Sequence, residues 1–194
     1  MKNTLMIGLA ATSLLLGAQP CLAGYMASLS TTAPDLNNLT VGQKVTFDVN
    51  LSGIGSPADN LDFLAATVQF DGSLLGTPAI TPGPIVPDLS GFQSTAKAGL
   101  ADANYDALFA TSGKPIASKG TFYSFDATVQ GTGSGQVALN FVSAMQGSNE
   151  VPITAGPALL FSTSVVPEPA SWLLLGIGLL GAAGLRRALR MTGA

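Results

Sequence analysis

Residues Gln43-Lys-Val-Thr-Phe-Asp-Val-Asn-Leu51 alternate without a break, with Val45, Phe47, Val49 and Leu51 on one face and Lys44, Thr46, Asp48 and Asn50 on the other. A period of two predicts a half-buried antiparallel strand, one side packed and one side wet. Residues 63–70 repeat the pattern, setting Leu64, Ala66, Val68 and Phe70 against Ala65, Thr67 and Gln69. Residues 121–130 and 136–143 do so again, with Tyr123, Phe125, Ala127 and Val129 predicted inward in the first and Val137, Leu139 and Phe141 in the second. Between them Gly131-Thr-Gly-Ser-Gly135 predicts a hairpin and therefore two adjacent antiparallel strands. Weaker runs at 27–31, 74–80, 105–110 and 159–164 bring the expectation to about eight strands with sandwich-like turn spacing. No amphipathic helix pattern precedes residue 170. Residues 81–103, which hold Pro82, Gly83, Pro84, Pro87 and Gly91, read as a long surface excursion between sheets. The expected fold is all-β, an antiparallel jelly-roll or immunoglobulin-like sandwich over residues 24–164.

Composition supports that class: charged residues are 10% of the 194-residue chain, and 23 glycines and 12 prolines favour turn-rich β structure over a helical bundle. The length suits one domain with appendages. Met1-Lys-Asn-Thr followed by the apolar run 5–16 is the basic-then-hydrophobic order of a secretory signal helix. Cys21-Leu22-Ala23 supplies small residues at −3 and −1, so cleavage is expected between Ala23 and Gly24, giving a signal peptide over 1–23. The run is shorter than an uncleaved spanning helix needs. The cut removes Cys21, the only cysteine, so the exported part has neither disulfide nor thiolate. From Gly24 to Val166, Lys44, Lys97, Lys114 and Lys119 face nine aspartates and Glu150, six more negative charges than positive. Without a basic cluster this argues against nucleic acid as a partner.

The chain has no histidine, so the usual general base, the nucleophile dyads and the common zinc ligands are missing, and no cofactor is expected. A glycosidase needs only two carboxylates, and Asp59, Asp62, Asp102, Asp106, Asp126 and Glu150 are available, but no spacing selects a pair. Turn and surface aspartates are the simpler reading. Asp102-Ala-Asn-Tyr-Asp106 opens like a calcium loop, yet Ala107 stands where the sharp turn needs glycine and Gly113 where the bidentate glutamate belongs. That stretch reads instead as a turn entering the strand at 105–110. Tyr25, Phe92, Tyr105, Phe109 and Tyr123 have the chemistry of a sugar-stacking platform, although core packing accounts for most of them. Asn38-Leu39-Thr40 is a glycosylation triplet in a host with the machinery.

The strand sequences at 39–52, 64–75 and 120–129 resemble successive strands of cohesin-like domains, a likeness spanning roughly residues 26–164. The resemblance implies a jelly-roll sandwich and allows a dockerin-like protein partner on a sheet face.

The end of the chain carries the other resemblance. From Pro169 to Leu185 seventeen residues carry no charge, about 25 Å as a helix, near the lower limit for crossing a bilayer. Leu173, Leu174, Leu175, Ile177, Leu179, Leu180 and Leu185 surround such a helix instead of forming one stripe, which points to lipid and away from a helix packed on the sandwich. Trp172 suits the outer boundary, and Arg186 and Arg187 the cytoplasmic one, for a transmembrane helix at about 170–185. Val166-Pro-Glu-Pro169, an apolar span and Arg186-Arg187 closely resemble the PEP-CTERM sorting signal over 165–190. The resemblance implies recognition of Pro167, Glu168 and Pro169 by an exosortase, a membrane cysteine protease of Gram-negative bacteria that also make exopolysaccharide. The expected protein is an exported, non-enzymatic surface or extracellular-matrix protein with an adhesion or assembly sandwich. Its alternatives are a polysaccharide-binding module of the exopolysaccharide matrix and a secreted glycosidase.

Overall fold

The computed structural model describes residues 24–54, 61–106 and 116–165. The expected signal helix and Ala23, the Pro167-Glu168-Pro169 motif, Trp172, Arg186, Arg187 and the expected transmembrane helix lie outside the described residues, as do Asp59 and Phe109. The described residues form twelve strands: β1 (Gly24–Thr31), β2 (Leu39–Thr40), β3 (Lys44–Ile54), β4 (Phe63–Phe70), β5 (Ala79–Pro82), β6 (Phe92–Lys97), β7 (Leu100–Asp106), β8 (Lys119–Thr128), β9 (Gly133–Gln146), β10 (Asn149–Glu150), β11 (Ile153–Ala155) and β12 (Leu159–Ser164). One short 3-10 turn, Leu36–Asn38, precedes β2. Among the described residues no helix is long and apolar enough to cross a membrane.

The strands make two layers. The smaller sheet runs β11-β1-β3-β8-β5, and the larger runs β2-β12-β9-β4-β7-β6, with β10 folded back on β9. Pairing is antiparallel except where β11 joins β1 and β12 joins β2, so both parallel contacts bring the end of the domain beside its beginning. The fold is the expected all-β sandwich. Val45, Phe47, Val49 and Leu51 face inward from β3, and Leu64, Ala66, Val68 and Phe70 from β4, as alternation predicts. Phe125 binds the layers together, stacking on Phe47 of its own sheet at 5.2 Å and on Phe70 of the opposite sheet at 6.0 Å.

Three local expectations fail because strand pairing and register are set by the tertiary structure and not by the local pattern. First, β8 and β9 do not form a hairpin. They lie in different sheets, and the Gly131–Gly135 segment carries the chain across the end of the sandwich. The glycines serve close approach there, since a Cβ on Gly131 would lie 2.3 Å from the Ser73 carbonyl oxygen and one on Gly135 would lie 2.8 Å from the Phe161 ring. Second, residues 81–103 are not an excursion. They contain β6, which pairs with β7 through the two-residue turn Ala98-Gly99, with Gly99 at φ +86° where a side chain is strained. Asp102 to Asp106 therefore lies within a strand, not in a turn before one. Third, Phe141 is 53% exposed instead of buried. Val68 pairs with Leu139 and Thr67 with Phe141, so Asn140 is an extra residue that reverses the facing of everything after it. A matching irregularity in β8, where Val49 pairs with Tyr123 and Asn50 with Thr121, turns both Phe122 and Tyr123 inward.

Two buried tyrosines differ in how their hydroxyls are used. Tyr123 reaches across the core and its hydroxyl is shared between the carbonyl oxygens of Ala66 and Ala101, each 3.1 Å away. Burial, and after it the Asp102 carboxylate, push its phenol far above the ordinary tyrosine range, so it remains a donor at any physiological pH. The Tyr105 hydroxyl is buried with no partner among the described residues. Tyr123→Phe is expected to lower stability by about 1–2 kcal/mol, whereas Tyr105→Phe is expected to be neutral or stabilising, because only the first strands polar groups that were satisfied. Denaturant midpoints of the two variants check the contrast, and equal losses would contradict it.

Candidate functional site

The two outer faces of the sandwich are chemically unlike. On the smaller sheet the polar side chains satisfy one another: Thr46 Oγ1 donates to Asp126 at 2.7 Å and Ser124 Oγ to Asp48 at 2.6 Å. Asn50 donates to Ser30 at 2.8 Å and accepts from Thr121 at 2.9 Å. This is a cross-strand network, the sheet counterpart of paired side chains on a helix.

The larger sheet carries a depression of about 370 Å³. Register builds it as two rows across four strands. Thr95 of β6, Asp102 of β7, Thr67 of β4 and Phe141 of β9 form the first, and Gln93, Asn104, Ala65 and Ser143 form the second. Ala65 is 7% exposed and its methyl makes a low floor, while Phe63 and Phe141 stand at the margin. Thr67 Oγ1 donates to Asp102 at 2.8 Å, which fixes that carboxylate within the first row.

Phe141 is the feature here that packing does not require. Unbroken alternation from Leu139 would turn its ring inward, where full burial of a Phe side chain is worth about 1.5–3 kcal/mol. The bulge at Asn140 places it on the water side and turns Val142 and Ala144 toward the core instead. Bulges commonly re-aim a side chain beside a binding site.

The described carboxylates proposed for a glycosidase do not converge: Asp102 and Asp106 share a face of β7 but lie four residues apart along it, about 13 Å in an extended strand. Asp102 lies on the outer face of the larger sheet and Asp126 on that of the smaller, while Glu150 lies on β10. Asp62 accepts from the Gly147 backbone N–H at the β9–β10 turn. Asp102, Asn104 and Asp106 alternate along β7 on one side of an extended strand, so they are spread along it instead of converging as a calcium loop does. Among the described residues no group of three or more His, Cys, Asp or Glu is placed to hold a metal. Asp35 and Asp71 are turn residues: backbone and side-chain donors of Asn37 and Asn38, and of Ser73, hold their carboxyls below the usual range. Of the proposed platform aromatics, Tyr25, Tyr105 and Tyr123 are buried and Phe92 packs edge-on against Phe122 at 6.1 Å. The exposed ring is the one the sequence reading put in the core. The adjacent apolar pair Phe141-Val142 after Asn140, which breaks the alternation, is the sequence signal that marks it.

The sandwich matches solved cohesins along nearly their full length. The sixth cohesin of Acetivibrio cellulolyticus scaffoldin B, solved with a dockerin, aligns with TM-score 0.56 and 18% identity over 75% of this chain and 99% of that one. The seventh ScaB type I cohesin of Pseudobacteroides cellulosolvens gives 0.57 and 15% over 75% and 96%, and a non-cellulosomal cohesin from the archaeon Archaeoglobus fulgidus gives 0.52 and 12% over 77% and 95%. The domain has the cohesin fold. Residues 165–188 match the PEP-CTERM protein-sorting motif, so this is a PEP-CTERM protein with a cohesin-like domain. No curated protein matches the chain. The cohesin-like domain reaches Ser164 in β12, and the sorting motif begins at the next residue. Such a motif implies exosortase-dependent export.

Proposed function

We propose that this protein is an exported, non-catalytic surface or matrix module that is held briefly in the membrane and released near Pro167-Glu168-Pro169. Signal cleavage between Ala23 and Gly24 starts the mature chain at the first residue of β1. The apolar span 170–185, with Trp172 outside and Arg186 and Arg187 in the cytoplasm, is the temporary anchor. Exosortase acts on the motif, and the cohesin-like domain goes to the cell surface or extracellular matrix of a Gram-negative bacterium, where it serves adhesion or assembly. The observation that carries this reading is the sorting motif following directly on the last strand of the folded domain. A dockerin-type protein is one partner class, since the Acetivibrio cellulolyticus neighbour was solved with one. A polysaccharide is the other, and the exposed Phe141 in its polar depression favours it.

Glu168→Ala is expected to leave full-length precursor in the membrane fraction of the host and to abolish the shorter released form, read by immunoblotting of fractionated cells. Unchanged processing and localisation would overturn the sorting role.

A further inference from the structure

We propose that the depression on the outer face of the larger sheet is a subsite for a neutral saccharide, with Phe141 as the stacking platform and Gln93, Asn104 and Asp102 as the hydrogen-bonding side. This names the ligand class of the surface-module reading and rests on it. A sugar ring presents C–H groups on its faces and hydroxyls around its edge. It is matched by an aromatic face that attracts weakly positive hydrogens, beside groups that both donate and accept. The depression supplies that combination. Phe141 stands 53% exposed at one end of the row Phe141, Thr67, Asp102 and Thr95. The next row brings the two amides, Gln93 and Asn104, opposite one another on β6 and β7. Ala65, in that second row, keeps the floor low beside Asn104. Asp102 is oriented by the Thr67 hydroxyl at 2.8 Å on one oxygen, leaving lone pairs for ligand hydroxyls. The volume of about 370 Å³ is at the small end of ligand sites, suited to one or two sugar rings.

Charge decides between saccharides. Among the described residues Asp102 is the one ionisable group lining the depression. Lys97 stands one row away on β6 beyond Thr95 and Asp106 beyond Asn104 on β7, and with the domain acidic as a whole a single flanking lysine does not offset the repulsion an anionic polymer meets. The lining also departs from that of a protein interface core. Among the described residues it holds no Tyr, Trp, Arg or Met, and its two Phe rings are set among hydroxyls and amides. The bulge at Asn140 supplies the reason for an exposed ring that no packing demand explains.

The test uses the full chain in lauryldimethylamine-oxide micelles, whose head group is not a sugar. Titration calorimetry with cellohexaose, mannohexaose and laminarihexaose is compared with alginate and polygalacturonate oligomers. Saturable binding of at least one neutral hexasaccharide is expected, weakened about tenfold by Phe141→Ala and by Asn104→Ala. Leu160→Ala, which removes an exposed apolar side chain on the same sheet away from the depression, is expected to leave binding unchanged. Because Phe141 and Asn104 lie outside the core, the melting temperatures of all variants should match the parent. Absence of binding to all three neutral sugars, tighter binding of the anionic oligomers, or equal affinity in Phe141→Ala overturns the proposal. So does a finding that Phe141→Ala converts a self-associated protein to monomer while no sugar binds, since the face is then a protein contact. Processing at Glu168 is scored separately, so failure of the saccharide site and failure of the export reading are distinct outcomes.

Discussion

Phe125→Ala is expected to destabilise the folded domain by about 4 kcal/mol, within the range for emptying a fully buried aromatic site. Phe125 is 0% exposed and touches both layers, stacking on Phe47 at 5.2 Å within the smaller sheet and on Phe70 at 6.0 Å from the larger one. It also lies 6.4 Å from the ring of Tyr123, the residue whose hydroxyl ties β8 to carbonyls of β4 and β7. Truncation removes the transfer free energy of the ring and leaves a cavity that two hydrogen-bonded sheets cannot close without breaking ladder bonds. Since domains of this size are stable by only about 5–15 kcal/mol, the variant is expected to fold marginally. A guanidinium midpoint that moves by less than the equivalent of about 2 kcal/mol would show that the sheets do relax into the space.

Gly131→Ala should cost about 3 kcal/mol, a large effect for one methyl group on a chain crossing. The added Cβ would sit 2.3 Å from the Ser73 carbonyl oxygen, a backbone atom that cannot rotate away. The segment is further held by the Gly131 N–H to the Leu74 carbonyl oxygen at 3.4 Å and by the Thr163 hydroxyl donating to the Gly131 carbonyl oxygen at 2.7 Å. Relief therefore requires moving the crossover away from both β12 and the 71–75 turn. Thr132→Ala, one residue on and exposed, is the matched control and should fall within about 0.5 kcal/mol of the parent. Equal denaturation curves for the two would mean that the crossover has room the structure does not show. The prediction separates this connection from a hairpin turn, where alanine at a glycine with ordinary φ is tolerated far better.

The depression was only partly legible in the chain. Alternation puts Thr67 on the water side of its strand, where it lies, and Asp102 and Asn104 stand out as oxygen-bearing residues at even spacing. Their surroundings were not legible. Gln93 and Thr95 join them only because β6 pairs with β7, and the proline- and glycine-rich approach to that hairpin masked a strand whose own residues are almost all exposed. An edge strand lacks the buried face that produces alternation, so periodicity has nothing to report. Alternation points Phe141 inward because one extra residue in β9 is invisible to a count by twos, and a slip of one residue moves every later side chain to the other face.

Alternation is a local demand of a half-buried strand, and it is written in consecutive residues. That is why the all-β class, the inward faces of β3 and β4, and the limits of β4 and β12 could be read directly from the chain. The sorting signal is equally local, because a short linear motif is recognised without a fold around it, and its match at 165–188 needs no coordinates. Which sheet each strand joins is a different kind of fact. Successive strands such as β3 and β4, β7 and β8, and β8 and β9 enter opposite sheets, and two short parallel contacts close the domain's beginning against its end. Those choices depend on burying two apolar faces against each other while pairing every interior backbone group, a condition on the whole chain that no window of neighbouring residues contains.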